Sequence, residues 1–229
     1  MTELIIALDV PGSAEASNWV ERLGDEALWY KVGLELFTRE GAGIIQALEA
    51  KGKNIFLDLK FHDIPRTVAR AVAQAADMGA QMVNVHTLGG KAMMEAAAEE
   101  LVNRNKPPKL LGVTVLTSMD ADSLKEIGIR RSPRGWVTDL ALWAQECGLD
   151  GVIASPREIR GIREACGPGF LIVTPGIRLP RSPADDQRRT ATPSQAKKWG
   201  ADFIVVGRPI LAAEDPISAL KKVVKSIGK

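Results

Sequence analysis

The stretch Asp58-Leu59-Lys60-Phe61-His62-Asp63 brings two acids, a lysine and a histidine together at one point of the chain. It closes the apolar run Ile55-Phe56-Leu57, which reads as a strand, and leads into Ile64-Pro65-Arg66-Thr67, where the proline suits the first turn of a helix. On a strand, residues 58 and 60 point to the same side, so an acid and a lysine share a face at the strand's end, with Asp63 just beyond in the connecting loop. Such a trio can be an ordinary surface ion pair. The flanking residues read as buried, however, and charge at the end of a buried strand is suited to moving a proton or opposing a charge that develops during a reaction.

The elements that must hold this stretch repeat along the whole chain. Short apolar runs occur at Leu4–Leu8, Trp29–Val32, Ile55–Leu59, Met82–Val85, Leu110–Leu116, Gly151–Ala154, Leu171–Val173 and Phe203–Val206. They are continuous rather than alternating, the pattern of strands covered on both faces as in parallel sheets. Between them lie helix-length segments of 3.6-residue periodicity, such as Thr67–Met78, with Val68, Ala71, Val72, Ala75 and Ala76, and Ile217–Ile227. A mean spacing of roughly 28 residues fits βα units, and at this length they close most simply into one (β/α)8 TIM barrel, a single α/β domain over residues 1–229. A doubly wound open sheet is the second choice. It would carry a glycine-rich turn after the first strand if it held a dinucleotide, and the chain has Asp9-Val10-Pro11-Gly12 there. Two connections are long: 117–134, with the helix-prone Asp122–Ile127, and 174–193, rich in Pro, Arg and Asp. Long loops in a compact barrel are usually functional.

Composition narrows the function classes. Thirty basic and 28 acidic side chains leave a formal charge of +2 without basic runs, so there is no footprint for nucleic acid, although a small anion is a fitting ligand. Cys147 and Cys166 lack CxxC spacing and suit a reducing compartment. The N-terminal run Leu4–Leu8 is too short for a signal peptide, and no apolar stretch has the ~18 residues of a membrane helix, so a cytoplasmic protein is expected.

In a barrel, polar side chains at strand C-termini converge on one mouth. They are Asp9, Asp58, Lys60, His86, Thr117-Ser118, Thr174-Pro175-Gly176-Ile177-Arg178 and Gly207-Arg208, joined by Lys31 from within strand 2. Two lysines alternating with two aspartates form a nearly neutral quartet that can stay ionised while partly buried. Opposite it, Arg178, Gly207 and Arg208 follow strands 7 and 8, where barrels commonly bind phosphate, and a phosphorylated substrate is expected. His62 and His86 follow different strands without HxH or HExxH spacing, so they read as hydrogen-bonded structural residues rather than metal ligands. Lys60 could form a Schiff base, but adjacent aspartates favour its ammonium and hence a proton donor.

The string Asp58–Pro65 closely resembles the signature of the orotidine 5′-phosphate decarboxylase family, in its bacterial form. Further matches follow in order: Ala7-Leu8-Asp9, Lys31-Val32-Gly33, Asn84-Val85-His86, Val113–Ser118, Val173–Arg178, Asp186-Gln187-Arg188-Arg189 and Val206-Gly207-Arg208-Pro209. The resemblance implies decarboxylation of orotidine 5′-phosphate to UMP with no metal or cofactor. It makes Lys60 the proton donor within an array Lys31–Asp58–Lys60–Asp63. It further implies a homodimer in which Asp63, Ile64 and Thr67 reach into the neighbouring subunit's site. Asp9 and Lys31 would hold the ribose, Thr117 the pyrimidine, and Gln187, Gly207 and Arg208 the phosphate, with Pro175 and Arg178 also on the substrate and the loop around Arg178–Gln187 acting as a lid.

Two rivals share parts of this pattern. Sugar-phosphate decarboxylases and synthases of the same superfamily carry a DxKxxD motif but use magnesium and an acidic ligand on strand 2, where this chain has Lys31. A non-catalytic barrel that binds a phosphorylated ligand has no need of four alternating charges at its mouth.

Overall fold

The computed structural model describes residues 1–179 and 189–228, and in them each apolar run becomes a parallel strand. The strands are β1 (Glu3–Ala7), β2 (Trp29–Gly33), β3 (Asn54–Phe61), β4 (Met82–His86), β5 (Lys109–Val113), β6 (Gly151–Ile153), β7 (Leu171–Thr174) and β8 (Phe203–Val206). They pair in chain order, and β8 returns to β1 through Glu3↔Phe203 to Ile6↔Val206, so the sheet is a closed barrel and the open doubly wound alternative is ruled out.

Alternation along each strand divides the apolar residues between two cores. Ile5 and Ala7 of β1, Phe56 of β3, Met82, Leu111, Val173, and Phe203 and Val205 of β8 form a buried cluster of their own. Their strand neighbours Leu4, Ile6, Ile55, Leu57, Val83, Ile204 and Val206 belong to a larger cluster shared with the surrounding helices. Both faces of every strand are thus occupied, which is why the runs lack polar alternation. A buried side chain of this size contributes about 1.5–3 kcal/mol, so the two layers together dominate the barrel's stability.

The same period of two sets the mouth. Two residues beyond the inward Ala7, Phe56, Met82 and Val205 stand Asp9, Asp58, Asn84 and Gly207, and Lys31 lies between the outward Tyr30 and Val32. The polar residues therefore form the uppermost layer of the barrel interior.

Local signals place the helices. Pro65 opens helix Pro65–Asp77, whose Val68, Ala69, Val72, Ala73 and Ala75 are buried. The expected face contained Ala71 and Ala76; Ala76 is partly buried against the core, and Ala69 and Ala73 are buried besides. The helix-prone segment near 122 is Ala121–Glu126, capped by Asp120 accepting from Ser123 N, and the last is Pro216–Ser226. β5 is shorter than the expected Leu110–Leu116, because Val115 and Leu116 give their carbonyls to Arg189 instead of the ladder. No helix among the described residues is long and apolar enough to cross a membrane.

Candidate active site

A cavity of about 240 Å³ opens at the C-terminal end of the barrel. Its lining includes Asp9, Lys31, Asp58 and Lys60 on one side, Val115, Leu116 and Thr117 on a second, and Pro175, Gly176, Arg178, Gly207 and Arg208 on a third. The charged quartet is a continuous chain of contacts. Lys31 Nζ donates to Asp9 Oδ1 at 2.9 Å and lies 3.6 Å from Asp58 Oδ2, while Lys60 Nζ donates to Asp58 Oδ1 at 2.7 Å. Gly33 leaves room for this: a Cβ there would lie 2.8 Å from Lys31 Nζ.

Asp58 is 8% exposed. Burial by itself opposes its ionised form, but the charges of Lys31 and Lys60 and the hydrogen bonds from Lys60 and Asn84 outweigh it and hold the carboxyl below the usual range. Burial likewise opposes the charged form of Lys31, and the flanking carboxylates of Asp58 and Asp9 overcome it, so its ammonium persists above the ordinary lysine range. The two lysines and two aspartates cancel, and the opposite wall carries the guanidinium groups of Arg178 and Arg208.

Lys60 departs from simple strand geometry. Its φ is +50°, in the left-handed region that a residue with a side chain adopts only when its surroundings hold it there. The pairing of β3 with β4 shifts register between Leu57 and Phe61 at this point. The fully buried Asn84 of β4 supplies the restraint. Its Oδ1 accepts from Lys60 N at 2.7 Å and its Nδ2 donates to Asp58 Oδ1 at 2.7 Å, so one amide fixes the lysine's backbone and the carboxylate that its side chain meets. Sequence reasoning gave Asn84 no role. The readable signal was an amide on the inward face, two residues after Met82.

Other expected site residues lie elsewhere. Asp63, Ile64 and Thr67 are exposed and do not line this chain's cavity; Asp63 Oδ1 accepts from Ile64 N at 2.6 Å. Within one chain the array is therefore Asp9–Lys31–Asp58–Lys60, without Asp63. Gln187 lies outside the described residues, as do the Asp186-Gln187-Arg188 match and much of the lid segment. The flanks of that segment are fixed: Arg178 N donates to Ala191 O at 2.9 Å and Ala191 N to Gly176 O at 3.3 Å.

The histidines were expected to be hydrogen-bonded. His86 Nδ1 accepts from Leu88 N at 3.3 Å, whereas the contact described for His62 is a ring stack on His86, with centroids 5.2 Å apart. Burial, and after it electrostatic coupling to His62 and Lys60, push His86 down to about 4, so the imidazole is neutral and accepts that bond. A second feature escaped the sequence. Arg189 and Glu158 form a buried pair at 2.8 Å, and a sequence separation of 31 gives no local signal of it.

Residues 2–223 match the family described as "Orotidine 5′-phosphate decarboxylase / HUMPS family". Among relatives, the orotidine 5′-phosphate decarboxylase of Moorella thermoacetica is 50% identical over 98% of this chain and 92% of its own length. That of Chromohalobacter salexigens is 50% identical over 100% and 97%. Among solved structures, orotidine 5′-phosphate decarboxylase from Lactobacillus acidophilus superposes with a TM-score of 0.89 at 40% identity, covering 100% of both chains. With the charged quartet at a barrel mouth and a match spanning nearly its whole length, the chain belongs to the orotidine 5′-phosphate decarboxylase family.

Proposed function

We infer that this chain decarboxylates orotidine 5′-phosphate to UMP with release of CO2, the last step of pyrimidine nucleotide synthesis de novo. The observation that carries the reading is the contact chain Asp9–Lys31–Asp58–Lys60 at the floor of a cavity whose far wall bears Arg178 and Arg208.

Breaking the bond from C6 of the pyrimidine to its carboxylate leaves an electron pair on a carbon with no adjacent carbonyl to delocalise it. A cation facing that carbon stabilises the pair, and a proton must then be delivered there. The Lys60 ammonium serves both needs, and its transferred proton ends on C6 of UMP. Asp58, held ionised by two lysines, stands beside the substrate's carboxylate in this reading. At ~4 Å and an effective dielectric of ~20 their repulsion is about 4 kcal/mol, or about three decades of rate. That is far short of a whole catalytic effect, so the ammonium and the binding of remote parts of the substrate supply the remainder.

The remaining assignments are proposals resting on the family resemblance. Asp9 and Lys31 hold the ribose hydroxyls, and Thr117 and Pro175 border the pyrimidine. Gln187, Gly207 and Arg208 take the phosphate, and Arg178 on the same wall also meets the substrate. The reaction needs no metal or cofactor: Lys31 Nζ lies between the Asp9 and Asp58 carboxylates and supplies the positive charge a dication would bring. The protein acts as a homodimer in the cytoplasm. Asp63, Ile64 and Thr67 serve the neighbour's site, and the 68% exposure of Ile64 supports that reading, since an apolar side chain on a loop beside the site gains by being covered.

The test is the ultraviolet absorbance of orotidine 5′-phosphate mixed with catalytic amounts of protein in EDTA, beside Lys60→Ala. Decay of the orotate band to that of UMP with the wild type alone is the expected result. Activity only after magnesium is added would turn the reading toward a sugar-phosphate enzyme of the same superfamily, and no activity under either condition would leave a binding barrel.

A further inference from the structure

The Arg189–Glu158 pair is costly for a surface protein segment to keep. Both side chains are almost fully buried, at 8% and 4% exposure, and Glu158 Oε2 and Arg189 Nε have no hydrogen-bond partner among the described residues. Removing two charges from water largely cancels their attraction, so a buried pair is a poor source of net stability. Its value lies in what it fixes.

Arg189 connects two pieces of the cavity wall and the turn after β6. Nη1 donates to Glu158 Oε1 at 2.8 Å, at the end of the turn Pro156–Glu158 that follows β6. Nη2 donates to the carbonyls of Leu116, at 2.9 Å, and Val115, at 3.3 Å. Those two residues line the cavity directly before Thr117. Two positions after Arg189, Ala191 bridges to Ile177 and bonds to Gly176 and Arg178, which line the cavity on the anion-binding side. Arg189 thus joins the wall beside Thr117 to the strand of chain that carries Arg178, although it does not itself line the cavity.

We propose that Arg189, held by Glu158, is a positioning residue that ties the pyrimidine-side wall Val115–Thr117 to the phosphate-side segment Gly176–Arg178, so that occupation of the anion side orders the ring side. This rests on the decarboxylase reading above. Its signature is dependence on the substrate's phosphate. A substrate lacking the phosphate cannot engage the anion side, so it gains nothing from the tie and loses nothing when the tie is cut.

The experiment compares wild type with Arg189→Met/Glu158→Gln, which removes both charges together and leaves neither buried alone, and with Arg189→Lys. Each is assayed on orotidine 5′-phosphate and, at high enzyme concentration, on orotidine. With the tie cut, kcat on the phosphorylated substrate should fall by about 100-fold, the scale of an ångström's misplacement, while kcat/KM on orotidine stays within about 3-fold of wild type. Arg189→Lys, which cannot make the forked contacts, should fall on the phosphorylated substrate in the same way. Equal losses on both substrates would mean a merely structural pair and overturn the proposal, as would a double variant of undiminished activity. A wild type inert toward both substrates would bring down the decarboxylase reading itself, and this inference with it.

Discussion

Lys60, the proposed proton donor, is defined as much by its main chain as by its ammonium. A residue at φ +50° inside a strand stores an unfavourable conformation, of order 1–3 kcal/mol, that the surroundings must repay. Asn84 does so through its bonds to Lys60 N and Asp58 Oδ1. Asn84→Ala should therefore lower kcat on orotidine 5′-phosphate by about 100-fold with little change in KM, because Lys60 is misaimed rather than lost. It should also cost about 1–3 kcal/mol of stability, from the buried groups left unbonded. Steady-state kinetics beside a thermal melt checks both; an unchanged kcat would mean that the strand alone sets the lysine's geometry. The sequence made the quartet legible, since Asp9, Asp58 and Lys60 stand at the ends of recognisable strands and Lys31 within one. It did not reveal that residues 58 and 60 meet across a distorted stretch, because a positive φ at a lysine has no signal in residue type.

Among the elements, the short strand β6 shows how the barrel closes. It has only Gly151, Val152 and Ile153, paired with β5 on one side and β7 on the other. A Cβ at Gly151 would stand 2.2 Å from Leu171 O and 2.5 Å from Leu171 Cβ, so any side chain there forces β6 and β7 apart. Gly151→Ala should destabilise the fold by about 3 kcal/mol, the upper end of ordinary overpacking, because the obstacle is backbone and cannot swing away. A denaturant midpoint unchanged from wild type would show that β7 accommodates the methyl by shifting. Strand identity was readable from the runs of apolar residues, because burial on both faces leaves a contiguous pattern. Strand ends were less so. β5 stops at Val113 and not Leu116 because a guanidinium from residue 189 competes for the carbonyls, a contact that no local pattern encodes.

At the scale of the whole molecule, the connection after β3 presents residues away from this chain's own cavity. Asp63, Ile64 and Thr67 are exposed on the connection and first turn after β3, while Lys60, three positions before Asp63, lines the cavity. Leu34 and Leu88, which follow β2 and β4 in the chain, are exposed as well, at 57% and 38%. In the proposed homodimer, this side of the barrel covers its counterpart, and each cavity draws Lys60 from one subunit and Asp63 from the other. That arrangement predicts complementation. Lys60→Ala and Asp63→Ala should each be nearly inactive alone. When they are mixed in equal amounts and allowed to exchange, half of the dimers become mixed, and one of the two sites in each regains both residues, so activity should rise to about a quarter of wild type. Subunit exchange is followed independently, for example with a charge-tagged partner on a native gel. Exchange without recovered activity would show that Asp63 works within its own chain or not at all. Recovery near a quarter would identify the exposed residues after β3 as the part of the site that one subunit lends to the other.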